Sequence, residues 1–142
     1  MYESDVEQLM RDIHYQLVRL SRPTFHDLGL TPPRFHTLAM VAEHGPITMS
    51  EVHAMLHVSK STVTALVDGL VADQLIARGR DEGDRRKVVL ETTKSGRGVL
   101  ERLRTHRSRL VAEAMEGIPA QERDCMMRAL RRMKDRLGDV RV

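Results

Sequence analysis

Tryptophan is absent from the 142-residue chain, and only two Tyr and two Phe are present. Leu, Val and nine Met carry the apolar load instead, which suits a helical protein whose core adapts, because Met repacks easily. The single Cys excludes an internal disulfide framework and fits a reducing compartment. No apolar run reaches the roughly 18 residues needed to span a membrane, and the N-terminus lacks the pattern of a signal peptide. The expected location is cytoplasmic, with no membrane partner. Catalytic signatures are missing too: no P-loop, no H-E-x-x-H, no G-x-S-x-G and no Cys pair. An enzyme is not expected, nor any cofactor. The length fits one domain with enough chain to bury a core.

Charge is also sparse where it would be most informative. The net charge is +3, yet residues 46–93 hold six Lys/Arg against seven Asp/Glu. The excess lies after residue 96, in an Arg-rich tail. Bulk charge does not point to a polyanion; local placement does.

That placement is concentrated between Ser59 and Thr93. Val63, Leu66, Val67, Leu70 and Val71 recur at helical steps and form one apolar face. Ser59 precedes them as an N-cap, able to accept from the N–H of Ser61 or Thr62. Lys60, Ser61, Thr62, Thr64 and Ala65 occupy the remaining faces near the helix start. Hydroxyls and one Lys suit a helix end in a major groove, where the dipole favours nearby phosphate. The same residues also suit an ordinary capped, solvated helix.

The segment that follows favours the first reading. Leu75-Ile76-Ala77 and Val88-Val89-Leu90 are β-type runs around the turn Asp81-Glu82-Gly83-Asp84, a hairpin pattern. Arg78, Arg80, Arg85, Arg86 and Lys87 put five cations within ten positions, enough to reach phosphates or enter a minor groove. A capped helix followed by a basic hairpin is the order of a winged helix-turn-helix.

Asp84-Arg85-Arg86-Lys87-Val88-Val89-Leu90-Glu91-Thr92-Thr93 resembles the wing signature D-x-R-x-x-x-L-x-L-T of the MarR family of bacterial transcription regulators. Asp84, Arg86, Leu90 and Thr93 match, while Thr92 stands where a second Leu is usual. Ser61-Thr62-Val63-Thr64 and Leu66-Val67-Asp68 are similar to the family's recognition-helix core, and Gly96 continues the pattern. The resemblance implies that Arg86 enters or lies along the minor groove of double-stranded DNA, held by Asp68, with Arg85 the alternative for deepest insertion. Asp84 would orient the wing beside them. Ala65 and Gly69 stand where relatives often carry Arg, implying fewer phosphate contacts and weaker or more salt-sensitive binding.

The rest of the chain reads as support. Residues 4–27 form a first helix whose Val6, Met10, Ile13, Leu17 and Leu20 make a packing seam. Thr31 caps a second helix opened by Pro32 and Pro33, with Phe35, Leu38, Val41 and Ala42 inward, and Gly45-Pro46 stops it. Ile47-Thr48 is too short to stand alone as a strand but can add to the wing. Thr48-Met49-Ser50-Glu51 is a capping box for a third helix, with Val52, Met55 and Leu56 inward. Thr93 caps a long fifth helix to about Met115, Gly117-Ile118-Pro119 breaks it, and a last helix runs from about Ala120 to Leu137. The fold class is therefore mainly α with a small β-hairpin wing. A winged helix-turn-helix part (31–93) sits within one 1–142 domain, between helical parts at 4–27 and 93–140.

The resemblance further implies a homodimer, in which the first, fifth and sixth helices interdigitate with a second subunit. Two-fold symmetry would then set two recognition helices roughly 34–36 Å apart on a near-palindromic site. It also implies a small aromatic or phenolic effector bound between the dimer helices and the helix-turn-helix. By position His14, Tyr15, Val18, Phe35, His36 and Met40 could line that pocket; the alternative is that they pack the core. Some relatives bind zinc near the same junction, which draws attention to His26, His36 and His106. Their spacing is not a ligand pattern, and no metal is expected. Cys125 is expected to be a buried or interfacial inert thiol. The expected function is a ligand-responsive repressor; the competing class is a winged-helix protein-interaction module with little DNA affinity.

Overall fold

The computed structural model describes residues 1–140. The elements in order are α1 (Tyr2–Asp27), α2 (Pro32–His44), β1 (Ile47–Thr48), α3 (Met49–Leu56), α4 (Lys60–Ala72), β2 (Ile76–Arg80), β3 (Val88–Thr92), α5 (Lys94–Ala114) and α6 (Ala120–Gly138). The chain divides into two compact units, Met1–Arg107 and the part from Ser108 onward.

Local chemistry sets the helix starts. Thr31 accepts from the N–H of Arg34 ahead of two prolines, and Thr48 with Glu51 closes a reciprocal capping box. Ser59 accepts from Thr62, the second of the two donors the sequence allowed. Thr93 accepts from the N–H of Gly96 at 3.0 Å and so caps α5. Between α3 and α4 the turn is made by His57, whose φ of 53° puts it in the left-handed region. That conformation is uncommon outside Gly, and it reverses the chain within three residues, His57 to Ser59.

The sheet is antiparallel in the order β1-β3-β2. The Ile47-Thr48 pair does join the wing, Ile47 opposite Leu90 and Thr48 opposite Val89. On the other side Ile76 pairs with Thr92, Arg78 with Leu90 and Arg80 with Val88. Leu90 sits in the central strand and is fully buried.

Leu38 and Val41 of α2, Val52 of α3, and Val63, Val67 and Leu70 of α4 meet Ile76, Leu90 and the α5 residue Leu103 in one core. Each fully buried aliphatic side chain contributes roughly 1.5–3 kcal/mol. Two expected inward residues turn out exposed, Ala42 and Met55. Both lie beside the true inward stripe of short helices, where one residue's rotation of about 100° changes the face. The α1 seam is also largely uncovered within this chain: Met10 and Ile13 are 42% and 59% exposed, and the buried α1 residues are Ser21 and Phe25. In the second unit, α6 buries none of its residues.

α5 starts hard against the end of the wing. A Cβ on Gly96 would lie 2.2 Å from the Leu75 carbonyl oxygen and 2.8 Å from Thr92 Cγ2, so only Gly fits. Thr92, in the place of the wing signature's second Leu, has its Oγ1 buried with no hydrogen-bond partner among the described residues. An unsatisfied buried hydroxyl costs roughly 1–3 kcal/mol, and Val has the same shape and a higher strand preference. Thr92→Val is therefore expected to raise stability by about 1 kcal/mol, read as a higher urea midpoint at unchanged m-value; a lower midpoint would contradict this.

Candidate nucleic-acid interface

Helix α4 rests on Val63, Val67 and Leu70, all at 1% exposure or less, and so presents its opposite face outward. Its first turn carries a compact hydroxyl cluster. Ser59 Oγ lies 3.1 Å from Ser61 Oγ and 2.7 Å from Thr62 Oγ1, and Thr64 Oγ1 donates to the Lys60 carbonyl at 2.9 Å. All five residues from Ser59 to Thr62 and Thr64 are exposed. Lys60 makes no ion pair among the described residues. A cleft of about 420 Å³ opens beside it, lined by Met49, Ser50, His53, Lys60, Val63 and Thr64. The exposed Ser50 and the half-buried His53 thus join the polar surface of the helix pair, which the sequence pattern did not indicate.

The wing extends the same half of the molecule. Its tip is tied by local bonds: Asp81 N–H donates to the Lys87 carbonyl, Lys87 N–H to the Asp84 carbonyl, and Gly83 N–H to Asp81 Oδ1. Arg80, Arg85 and Lys87 are exposed and, among the described residues, in no ion pair. Arg86 is 92% exposed, with its Nε 3.3 Å from Asp84 Oδ1.

One expected pairing is corrected. Asp68 on α4 is ion-paired with Arg78, not with Arg86. The hairpin geometry is the reason. Arg78 sits opposite Leu90 within the sheet, whereas Arg86 lies in the turn at the hairpin tip, before β3 begins at Val88. Asp84 takes Arg86 instead, accepting from its backbone N–H at 3.0 Å as well as from Nε. Both pairs are partly solvated, so each is worth at most about 1 kcal/mol and serves orientation more than stability.

The residues grouped as an effector pocket differ in exposure. His14 and Tyr15 are exposed, and Val18 and Met40 are half-buried. Phe35 and His36 belong to an aromatic–cation cluster that the sequence did not reveal as such. Phe25 and Phe35 meet edge to face at 5.7 Å, His36 lies 5.5 Å from Phe35, and the Arg107 guanidinium sits 5.6 and 5.3 Å from the two Phe rings. Arg107 Nε also reaches the buried Ser21 Oγ at 3.4 Å, and the neighbouring His106 ring bonds the Leu20 carbonyl. A signal for Arg107 existed: it stands one helical turn after the buried Leu103. Among the described residues, no group of three or more His, Cys, Asp or Glu is arranged to hold a metal. Cys125 is exposed rather than buried, beside Arg128.

A tight helix–turn–helix, a hydroxyl-rich outward helix end and a basic three-stranded wing define a winged helix-turn-helix protein. A model of the MarR family matches residues 28–87. The HTH-type transcriptional repressor NicR of Pseudomonas putida is 30% identical over 130 residues, 92% of this chain and 82% of that protein. The HTH-type transcriptional repressor MdtR of Bacillus subtilis is 29% identical, over 82% of this chain and 79% of its own length. Among solved structures, a MarR family protein from Bacillus stearothermophilus superposes with a TM-score of 0.87 at 28% identity, covering 97% of this chain and 96% of that one. A MepR mutant of S. aureus bound to an oligodeoxyribonucleotide has the same fold, with a TM-score of 0.68 at 22% identity. The chain belongs to the MarR family and is a transcription regulator.

Burial and the positive charge of Arg107, with a smaller effect from His14, hold the His36 pKa below its ordinary value. The folded state therefore favours neutral His36, and the unfolded chain binds more protons near pH 6.5. Stability from this group is complete above about pH 6.5 and is lost as pH falls through that value. Chemical denaturation at pH 7.5 and 5.5 should show the decline, and His36→Gln should lessen it. An equal decline in the variant would assign the pH dependence to other groups.

Proposed function

We propose that the protein is a homodimeric repressor whose α4 start, Ser59, Lys60, Ser61, Thr62 and Thr64, reads the major groove while Arg80, Arg85, Arg86 and Lys87 meet the minor groove and its phosphates. The carrying observation is the exposure of both groups on neighbouring elements of one compact unit, with Arg80, Arg85 and Lys87 in no ion pair among the described residues. Arg78 has a different part. Paired with Asp68, it sets the hairpin's angle to α4, and Asp84 presents Arg86 in the same way at the tip. The oligodeoxyribonucleotide bound by the MepR mutant supports the assignment by likeness of fold.

The second subunit is inferred from uncovered apolar surface. Leu9, Met10, Ile13 and Leu20 of α1 and Met126, Met127, Leu130 and Leu137 of α6 are all at least 37% exposed, a load that one chain leaves in water. The helical parts, 4–27 and 93–140, would pair across a two-fold axis and leave 31–93 to face DNA. Two recognition helices about 34–36 Å apart then fit successive major grooves of a near-palindromic operator. The Phe25, Phe35, His36 and Arg107 cluster offers ring faces beside a cation, suited to a small aromatic acid or phenol. Such an effector would release DNA if it bound better to a helix spacing that no longer matches the grooves.

Fluorescence anisotropy with the duplex upstream of the protein's own gene, at several salt concentrations, tests the DNA-reading surface. Arg86→Ala is expected to weaken binding about tenfold at low salt and to reduce the salt slope by about one phosphate contact. Binding that is equally weak on an unrelated duplex and indifferent to Arg86→Ala would favour a protein-interaction module instead.

A further inference from the structure

Helix α4 ends with an electrostatic conflict that it does not resolve itself. Its last turn holds no basic residue, and its C-cap is Asp73. The helix dipole and the carboxylate therefore put negative charge at the same point. The compensating cation comes from α2. Arg34 Nη2 donates to the Gly69 carbonyl at 3.0 Å and is ion-paired with Asp73, while Nη1 reaches the Gly29 carbonyl at 3.4 Å. The Gly69 oxygen already accepts the C-cap N–H of Asp73 at 3.1 Å, so one carbonyl anchors both the cap and the strut.

We propose that Arg34 is a positioning residue for DNA recognition: it fixes the end of α4 against α2 and thereby sets the wing. Its side chain is only 21% exposed, against 44% for Arg78 and 92% for Arg86, so it is not placed as a phosphate ligand. The strut packs directly on the α4 backbone at Gly69. A Cβ there would be 3.7 Å from Nε and Nη2, in van der Waals contact with the guanidinium. Among the described residues Nε is buried without a partner, a desolvation cost offset by the contacts of the two Nη atoms.

What Arg34 holds is the junction that carries the wing. Asp68, the partner of Arg78, directly precedes Gly69. After the cap, Gln74 takes a left-handed φ of 60°, and its carbonyl accepts from Thr93 Oγ1 at 2.6 Å before β2 begins at Ile76. The junction is thus clamped by α2 on one side and by the start of α5 on the other. Loosening the Arg34 clamp lets α4 and the Asp68–Arg78 latch shift together. A signal was present in the sequence: Arg34 lies in the first turn of α2, where the dipole disfavours a cation unless it is engaged elsewhere.

The proposal rests on the DNA-reading assignment, and its test separates the two. Arg34→Gln, Asp73→Asn and the double variant are compared with the unmodified full chain. Amide hydrogen exchange is followed without DNA, and anisotropy is measured at 25 °C on the operator and on an unrelated duplex over a salt series. Arg34→Gln is expected to speed exchange from Leu70 to Arg80 and to weaken operator binding about tenfold, 1.4 kcal/mol. Salt slope and affinity for the unrelated duplex should be unchanged. The double variant should recover part of the loss, because Asp73 is then no longer an unpaired charge at the helix end. Unchanged exchange, or a lower Tm with operator affinity intact, overturns the proposal. A salt slope reduced by about one also overturns it, since Arg34 would then be a phosphate contact. If the unmodified protein does not distinguish the two duplexes, the DNA-reading assignment fails, and Arg34 is overturned as a positioning residue with it, whatever the exchange shows.

Discussion

Seating α4 is the constraint on which the rest depends. Val63, Val67 and Leu70 are pressed against α2, α3 and the sheet with almost no exposure, so the helix cannot roll without opening the core. Close packing converts that burial into orientation, because removing any of these contacts costs both transfer energy and a cavity. The outward hydroxyls at the other face are therefore presented by a rigid body. Their own hydrogen bonds to one another and to Lys60 hold them ready at little entropy cost.

The polar contacts around this seat divide into two kinds. Arg34 with Asp73 joins the end of α4 to α2, and Asp68 with Arg78 joins α4 to the hairpin. These link elements distant in sequence and fix angles. Asp84 with Arg86, by contrast, is a local turn pair that shapes the tip and leaves the guanidinium free to water. A partly exposed ion pair contributes little to stability, yet it limits where a hairpin can lean. The DNA-reading half has more acids than bases, but the charges are unevenly placed. Asp68, Asp73 and Asp84 are each paired with an arginine, and Arg80, Arg85 and Lys87 of the wing are in no ion pair among the described residues.

The aromatic–cation cluster is the other non-local feature. Phe25 from α1, Phe35 and His36 from α2, and Arg107 from α5 converge although each is unremarkable within its own helix. Desolvation there pushes the Arg107 and His36 pKa values down, and the Arg107 charge adds to the effect on His36. Arg34 is adjacent in sequence to Phe35, so α2 carries the wall of this cluster and the strut to α4 on neighbouring residues.

Much of the protein was determined by the sequence itself. Caps at Thr31, Thr48, Ser59 and Thr93, the helical stripe of α4 and the hairpin around Gly83 depend on residues within a few positions of one another. Local hydrogen bonding and periodicity therefore suffice to place them. The wing motif likewise located its cations. Tertiary structure alone decided which cation meets which carboxylate, because Asp68 and its partner are matched by strand register rather than by spacing in the chain. It alone exposed the α1 seam, brought Arg107 over two Phe rings, and turned Arg34 toward the far end of another helix. Such contacts are selected by how whole elements pack, and a side chain's nearest neighbours in sequence carry no record of that choice.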